Sequence, residues 1–313
     1  MAETKEMRAA YVDTLLELGA KNPNIVVLEA DLASCTNTGL FKKQFPDRFF
    51  NVGIAEANMV GIASGLSAVG KIPFAASFGS FSSRRVYDQF FLSANYARLN
   101  VKLVATDPGV TAAFNGGTHM PFEDLALMRV IPKLNIIEPS DPVSCAALIR
   151  KAAETYGCFY IRIPRKAVPF IYDTDETFEV GKSKTLKPGK DVLLVTLGAL
   201  MVGEALKARE ILAGKGIDAG VLDVLSLKPF DTAAVITAAR KVKAVISAEN
   251  AQINGGLGAA VAETLIEAGY TGRFARIGIR DEFGEVGTQD YLVKRFGLGA
   301  EALAEKAAAL LTA

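Results

Sequence analysis

The segment KIPFAASFGSFSSRRVYDQFFLSANYARLNVKLVATD, residues 71–107, holds the organisation of the chain in miniature. It opens with an apolar run of strand length (71–78), passes through an amphipathic stretch (84–97) and closes with a second apolar run (101–107) that stops at an aspartate. A strand with an unbroken apolar run is buried on both faces. Strand, helix and strand in succession then make a parallel sheet covered on each side. The alternation extends outward in both directions. NIVVLEAD (24–31) precedes the segment, and LNIIEPSD (134–141) and CFYIRIPR (158–165) follow it, with amphipathic stretches near 5–21, 55–69, 122–131 and 142–156. In open parallel sheets ligands bind beyond the carboxyl ends of the strands, so functional residues are expected there.

The pattern breaks at KAVPFIYDTDETFEVGKSKTLKPGK (166–190), which is polar, carries Pro169 and Pro188 and has no sustained period. It reads as an interdomain linker with one short strand at most. A second alternating unit follows, with strands expected at 191–198, 218–227, 243–250 and 274–281. The expected architecture is therefore α/β: two doubly wound, mostly parallel-sheet domains at 1–170 and 191–313, joined by a linker at 171–190. A chain of 313 residues that is half hydrophobic can bury two such cores.

Charge and composition narrow the function. Lys and Arg number 35 and Asp and Glu 34, which gives no basic footprint for nucleic acid. The apolar runs are too short to span a membrane, and the amino-terminal segment has no signal-peptide core. Cys35, Cys145 and Cys158 have neither CxxC spacing nor an even count, so a disulfide framework and a zinc site are not expected, and the expected compartment is the cytoplasm. One histidine, His119, rules out a histidine-rich metal centre.

Three segments carry candidate chemistry. Glu56, in NVGIAEANMVGIASGLS (51–67), stands where a strand gives way to a helix of small residues. A carboxylate in a first turn is favoured by the helix dipole alone. The apolar neighbours Ile54, Met59 and Ile62 also suit a carboxyl group that holds a proton and shares it with a ring nitrogen. Phe78 and Phe81 follow the strand at 71–78 in a loop of glycine and serine, where two rings can sandwich a flat heterocycle or pack under the next helix. His119 lies in a long loop after the strand at 101–107, behind Gly116 and Gly117, which let backbone approach a ligand. GGLGAAV (255–261) lacks the order of a dinucleotide loop and reads as close helix packing or an interface.

Taken together, NVGIAEANMVGIASGLS, GGTHMPFEDLALMRVIPKLNIIEPSD (116–141), YIRIPRK (160–166), LSLKPFD (225–231) and AENAQINGGLGAAVAE (248–263) resemble the two carboxyl-terminal domains of transketolases. The likeness is to the second chain of the split, two-gene forms in particular, and it covers essentially the whole sequence. The resemblance implies a thiamine diphosphate enzyme that transfers a two-carbon ketol unit from a ketose to an aldose. Carried over, Glu56 shares a proton with the aminopyrimidine ring, Phe78 and Phe81 form the pyrimidine pocket, and His119 contacts the reacting oxygen. Arg8 and Arg165 match arginines that hold the sugar's anionic end.

The sequence also departs from the family. Cys35 stands where a phosphate-contacting serine is usual, Asp107 where a histidine binds substrate, Asn115 where an aspartate reads a hydroxyl, and Arg84 where a tyrosine adjoins the pyrimidine pocket. Ordinary pentose phosphates are therefore in question, and a sulfonate or a different chain length fits as well. The family's diphosphate anchor, a GDG segment followed by asparagine, is absent from the sequence. The expectation is that Mg²⁺ (or Ca²⁺) and the diphosphate are held by a partner, an amino-terminal transketolase subunit, in a heterotetramer of two of each chain. The alternatives are the β subunit of a 2-oxoacid dehydrogenase decarboxylating component, a deoxyxylulose phosphate synthase-like chain and a non-catalytic partner chain.

Overall fold

In a computed structural model that describes residues 3–312, each long apolar run becomes a strand. The strands are β1 (Thr4–Glu6), β2 (Ile25–Glu29), β3 (Phe49–Asn51), β4 (Ile72–Phe78), β5 (Lys102–Thr106), β6 (Asn135–Ile137), β7 (Phe159–Ile163), β8 (Ala167–Pro169), β9 (Lys184–Lys187), β10 (Val192–Thr196), β11 (Ala219–Asp223), β12 (Ser226–Lys228), β13 (Ala244–Gln252) and β14 (Arg273–Ile279). Every residue of β2, β5, β7, β10 and β11 is buried, the signature of strands covered on both faces.

Two sheets result. The first has seven strands in the order β12-β6-β7-β5-β4-β2-β3, and the second has five in the order β14-β13-β10-β11-β9. All neighbours pair in parallel except the edge strands β12 and β9. The stretch 166–190, read as holding one short strand at most, contains two, β8 and β9, because each pairs antiparallel with a neighbouring strand, β1 and β11. The run expected as one strand at 218–227 is two: Leu225, at φ 55°, turns the chain after β11. Strand β12 then leaves the second sheet and pairs antiparallel with β6 of the first. The second unit thus contributes an edge strand to the first, and one hydrophobic cluster runs from Val26 through Leu193 to Leu265.

Helix starts follow local chemistry. Asp141 caps the helix Pro142–Glu154, accepting from the Ser144 amide at 2.7 Å while Ser144 Oγ takes the Asp141 amide at 3.0 Å. This reciprocal box satisfies amides that a helix end leaves free, at about 1 kcal/mol for the cap. The other Asp141 oxygen accepts from the amides of Ile171 and Tyr172 and so fixes the start of the connection between the sheets. Between the sheets lies a fully buried ion cluster. Arg162, on β7, donates to Asp124 at 2.9 Å and to the Asn250 carbonyl at 3.0 Å, and pairs with Glu138. Among the described residues no helix is long and apolar enough to cross a membrane.

Candidate active site

Strands β7, β5, β4, β2 and β3 are consecutive neighbours in the first sheet. Their carboxyl ends deliver the expected residues to one edge: Arg165 after β7, Asp107 and His119 after β5, Phe78 and Phe81 at and after β4, Cys35 after β2, and Glu56 after β3. Gly79 keeps the two middle ends together. Its amide donates to the Thr106 carbonyl at 2.7 Å, and a Cβ there would lie 2.7 Å from Pro121 of the histidine loop.

Glu56 opens the helix Glu56–Ala68 and is 2% exposed. Its Oε1 accepts from Arg85 at 2.8 Å. The Phe78 and Phe81 rings lie 6.0 Å apart and tilted by 38°, and His119 meets both edge-on, at 5.8 and 5.1 Å. The two rings differ in burial: Phe78 is 7% exposed, whereas Phe81 is only partly buried. Thr118 Oγ1 lies 2.9 Å from His119 Nδ1. Partial burial, with Arg85 and Arg84 nearby, pushes the imidazole below its ordinary value, which keeps it neutral near neutral pH.

The residues expected at the sugar's far end also assemble, but each arginine is partly spent. Arg8 donates to Glu6 at 2.8 Å and to the Cys35 carbonyl at 3.0 Å, so Cys35 contributes backbone. Arg165 pairs with Asp107, and its guanidinium lies 5.0 Å from the Phe78 ring centre. Asp107 holds a left-handed φ of 57°, which aspartate tolerates better than most residues. Burial pushes its carboxyl up to about 6, against the pull of Arg165. Asn115 ends the turn Gly109–Asn115 and is exposed, four residues before His119.

Arg84, expected at the pyrimidine pocket, turns elsewhere. It pairs with Glu123 at 2.9 Å and donates to the Thr118 carbonyl at 3.0 Å, which ties down the histidine loop. The ring-facing position belongs to Arg85, a residue that sequence reasoning passed over. Its guanidinium lies 4.1 Å from the Phe81 ring centre while it binds Glu56. The doublet at 84–85 was the available signal, but only the direction of the following turn separates the two arginines.

Asn250 was also missed. At the end of β13 in the second sheet, it donates to the Pro108 carbonyl at 2.8 Å and accepts from the Val110 amide at 2.9 Å. Gly109 between them has φ 54°, and a Cβ there would lie 2.2 Å from Asn250 Oδ1, so glycine is required. The second unit thereby braces the start of the loop that carries His119. GGLGAAV leads into the helix Leu257–Glu267, whose first amides, Leu257 and Gly258, donate to buried Glu249 at 2.7 and 2.8 Å. The chain's own carboxylate fills the place a phosphate would take.

An aromatic face beside a buried carboxylate fits the ring of an aminopyrimidine: the carboxylate would meet a ring nitrogen and the phenyl groups the π surface. Among the described residues no group of three or more His, Cys, Asp or Glu could hold a metal ion.

The chain matches the transketolase pyrimidine-binding domain over residues 3–170 and the transketolase C-terminal domain over 181–303. It is 48% identical over 301 residues to the 6-deoxy-6-sulfo-D-fructose transketolase subunit SqwH of Clostridium sp. (strain MSTE9), covering 96% of this chain and 93% of that one. The transketolase of Homo sapiens is 33% identical over 309 residues, which are 97% of this chain and 49% of the human one. A solved structure described as a split gene transketolase, inactive beta4 tetramer, superposes with a TM-score of 0.89 at 44% identity, covering 98% of each chain.

Proposed function

The chain belongs to the transketolase family, and from that premise we propose that it is the pyrimidine-binding subunit of a split, thiamine diphosphate-dependent transketolase. The observation that carries the reading is the meeting of buried Glu56, the Phe78–Phe81 face and His119 at one edge of the sheet. When bound, thiamine diphosphate supplies the carbon nucleophile and electron sink for breaking a ketose carbon–carbon bond. Glu56, buried at a helix start, holds or releases a proton at the ring nitrogen. Phe78 and Phe81 fix the ring plane. His119, neutral and steered by Thr118, donates to a reacting hydroxyl or receives its proton.

The metal and the diphosphate are proposed to sit on a second polypeptide. Support comes from the absence of a GDG segment in the sequence and from similarity, over nearly full length, to a protein named as a subunit and to one described as a split gene transketolase, inactive beta4 tetramer. A surface for that partner is offered by the helix Glu56–Ala68, where Gly61 and Gly65 face open space, with Ile54 and Tyr96 exposed nearby.

We take the donor to be a ketose with a singly charged anionic end, a sulfonate before a phosphate. Arg8 and Arg165 each share their charge with a carboxylate, so the site offers a weaker field than two free guanidinium groups. A phosphate monoester carries about −1.5 to −2 at neutral pH and needs more compensation. The relative named for 6-deoxy-6-sulfo-D-fructose points the same way. The decisive variant is Glu56→Gln in the assembled enzyme. Turnover should fall by roughly a hundredfold or more, with deuterium exchange at the thiazolium carbon slowed in step. Exchange at the parent rate would remove Glu56 from its role.

A further inference from the structure

Arg85 reproduces, within the chain, both contacts the pyrimidine pocket is built to make. Its guanidinium is flat and carries N–H donors. It lies 4.1 Å from the centre of the Phe81 ring and donates to Glu56 Oε1 at 2.8 Å. Those are the aromatic face and the carboxylate that would receive the cofactor ring. The arginine side chain is 46% exposed while Glu56 is 3% exposed, so the cation reaches in from solvent over a buried acid. Buried carboxylates without a partner are costly, and this one is satisfied by a group that can swing out. Its neighbour Arg84 is fixed by Glu123 and the Thr118 carbonyl and does not compete for the place.

We propose that Arg85 is a removable placeholder: it occupies the pyrimidine position in the cofactor-free chain, keeps Glu56 paired, and must be displaced when thiamine diphosphate enters. The inference rests on the pyrimidine-pocket reading given above. It makes Arg85 a positioning residue that sets cofactor affinity and entry.

The test is calorimetric titration of Mg²⁺–thiamine diphosphate into the cofactor-free assembly of this chain with its diphosphate-domain partner. Five versions are compared: parent, Arg85→Ala, Arg85→Met, Glu56→Gln and the double variant Arg85→Ala/Glu56→Gln. Removing one half-exposed ion pair and one cation–π contact should tighten binding by about tenfold in Arg85→Ala. In the Glu56→Gln background, where the latch has lost its charge partner, the gain should shrink to about threefold or less. Arg85→Met, which keeps the aliphatic stem, should behave like Arg85→Ala, and stopped-flow mixing should show faster entry in both. Unchanged or weaker binding in Arg85→Ala, with the parent assembly binding normally, would overturn the placeholder and leave the pocket standing. A parent assembly that does not bind the cofactor would overturn both.

Discussion

Arg162 and Arg165 lie three residues apart, at and just beyond the end of one strand, and each is paired with acid. Arg162 is 1% exposed, and its donors go to Asp124, Glu138 and the Asn250 carbonyl, with Tyr160 bonding the same Asp124. Arg165 has one acid, lies against one ring and stays 23% exposed. The same side chain serves as a rivet in one place and as a candidate site group in the other. What separates them is whether donors remain unspent and whether solvent can reach them.

The largest expected effect breaks the rivet. Arg162→Met should cost about 3–5 kcal/mol, because two buried carboxylates lose their counter-charge. Denaturant unfolding of the chain should show the loss, and adding Asp124→Asn and Glu138→Gln should recover much of it. No loss in the single variant would mean that the cluster is not the interdomain tie.

Next comes the site arginine. Arg165→Ala in the assembled enzyme should raise KM for an anionic donor by roughly ten- to a hundredfold, the worth of one charge-assisted contact at about 1.5–3 kcal/mol. An uncharged ketose such as erythrulose should be little affected, while unfolding stability should fall by about 1–3 kcal/mol because buried Asp107 loses its partner. Equal losses on both donors would make Arg165 a second rivet and end the contrast.

The smallest effect is a pH dependence. Burial holds the Asp107 carboxyl at about 6, above the ordinary carboxylate range. A raised value means that the folded chain holds the proton more tightly than the unfolded one. The associated stability is therefore full below about pH 4 and is lost as the pH rises through 6. For binding, the ionised form spends Arg165 and the protonated form releases it. KM for an anionic donor should fall by about fivefold between pH 7.5 and 5.5. Asp107→Asn should abolish that slope and show the lower KM throughout. A slope that survives Asp107→Asn would assign the titration to another group.

The contrast also marks what the sequence makes legible. Glu56, Phe78, Phe81, His119 and Arg165 were legible as candidates because each lies at the end of a strand or in the loop beyond it, and in a parallel sheet those ends converge. Arg162 was hidden because it falls inside such a run, where a charge looks like an interruption until its buried partners are known. Asn250 was hidden by distance: its bond to Val110 spans 140 positions, and no local pattern carries that. The split of 218–227 into β11 and β12 rests on the left-handed Leu225, a conformation that leucine does not advertise. Arg85 and Arg84 differ by one step of chain, and only their contacts tell them apart.

The central claim is that this chain holds the pyrimidine half of a ketol-transferring site whose diphosphate half lies on another polypeptide. Ketol transfer with Mg²⁺ and thiamine diphosphate, measured for the purified chain alone and again after addition of the diphosphate-domain chain, tests it most directly. The account predicts no turnover alone and robust turnover in the mixture, abolished by Glu56→Gln; robust turnover by the chain alone would contradict it.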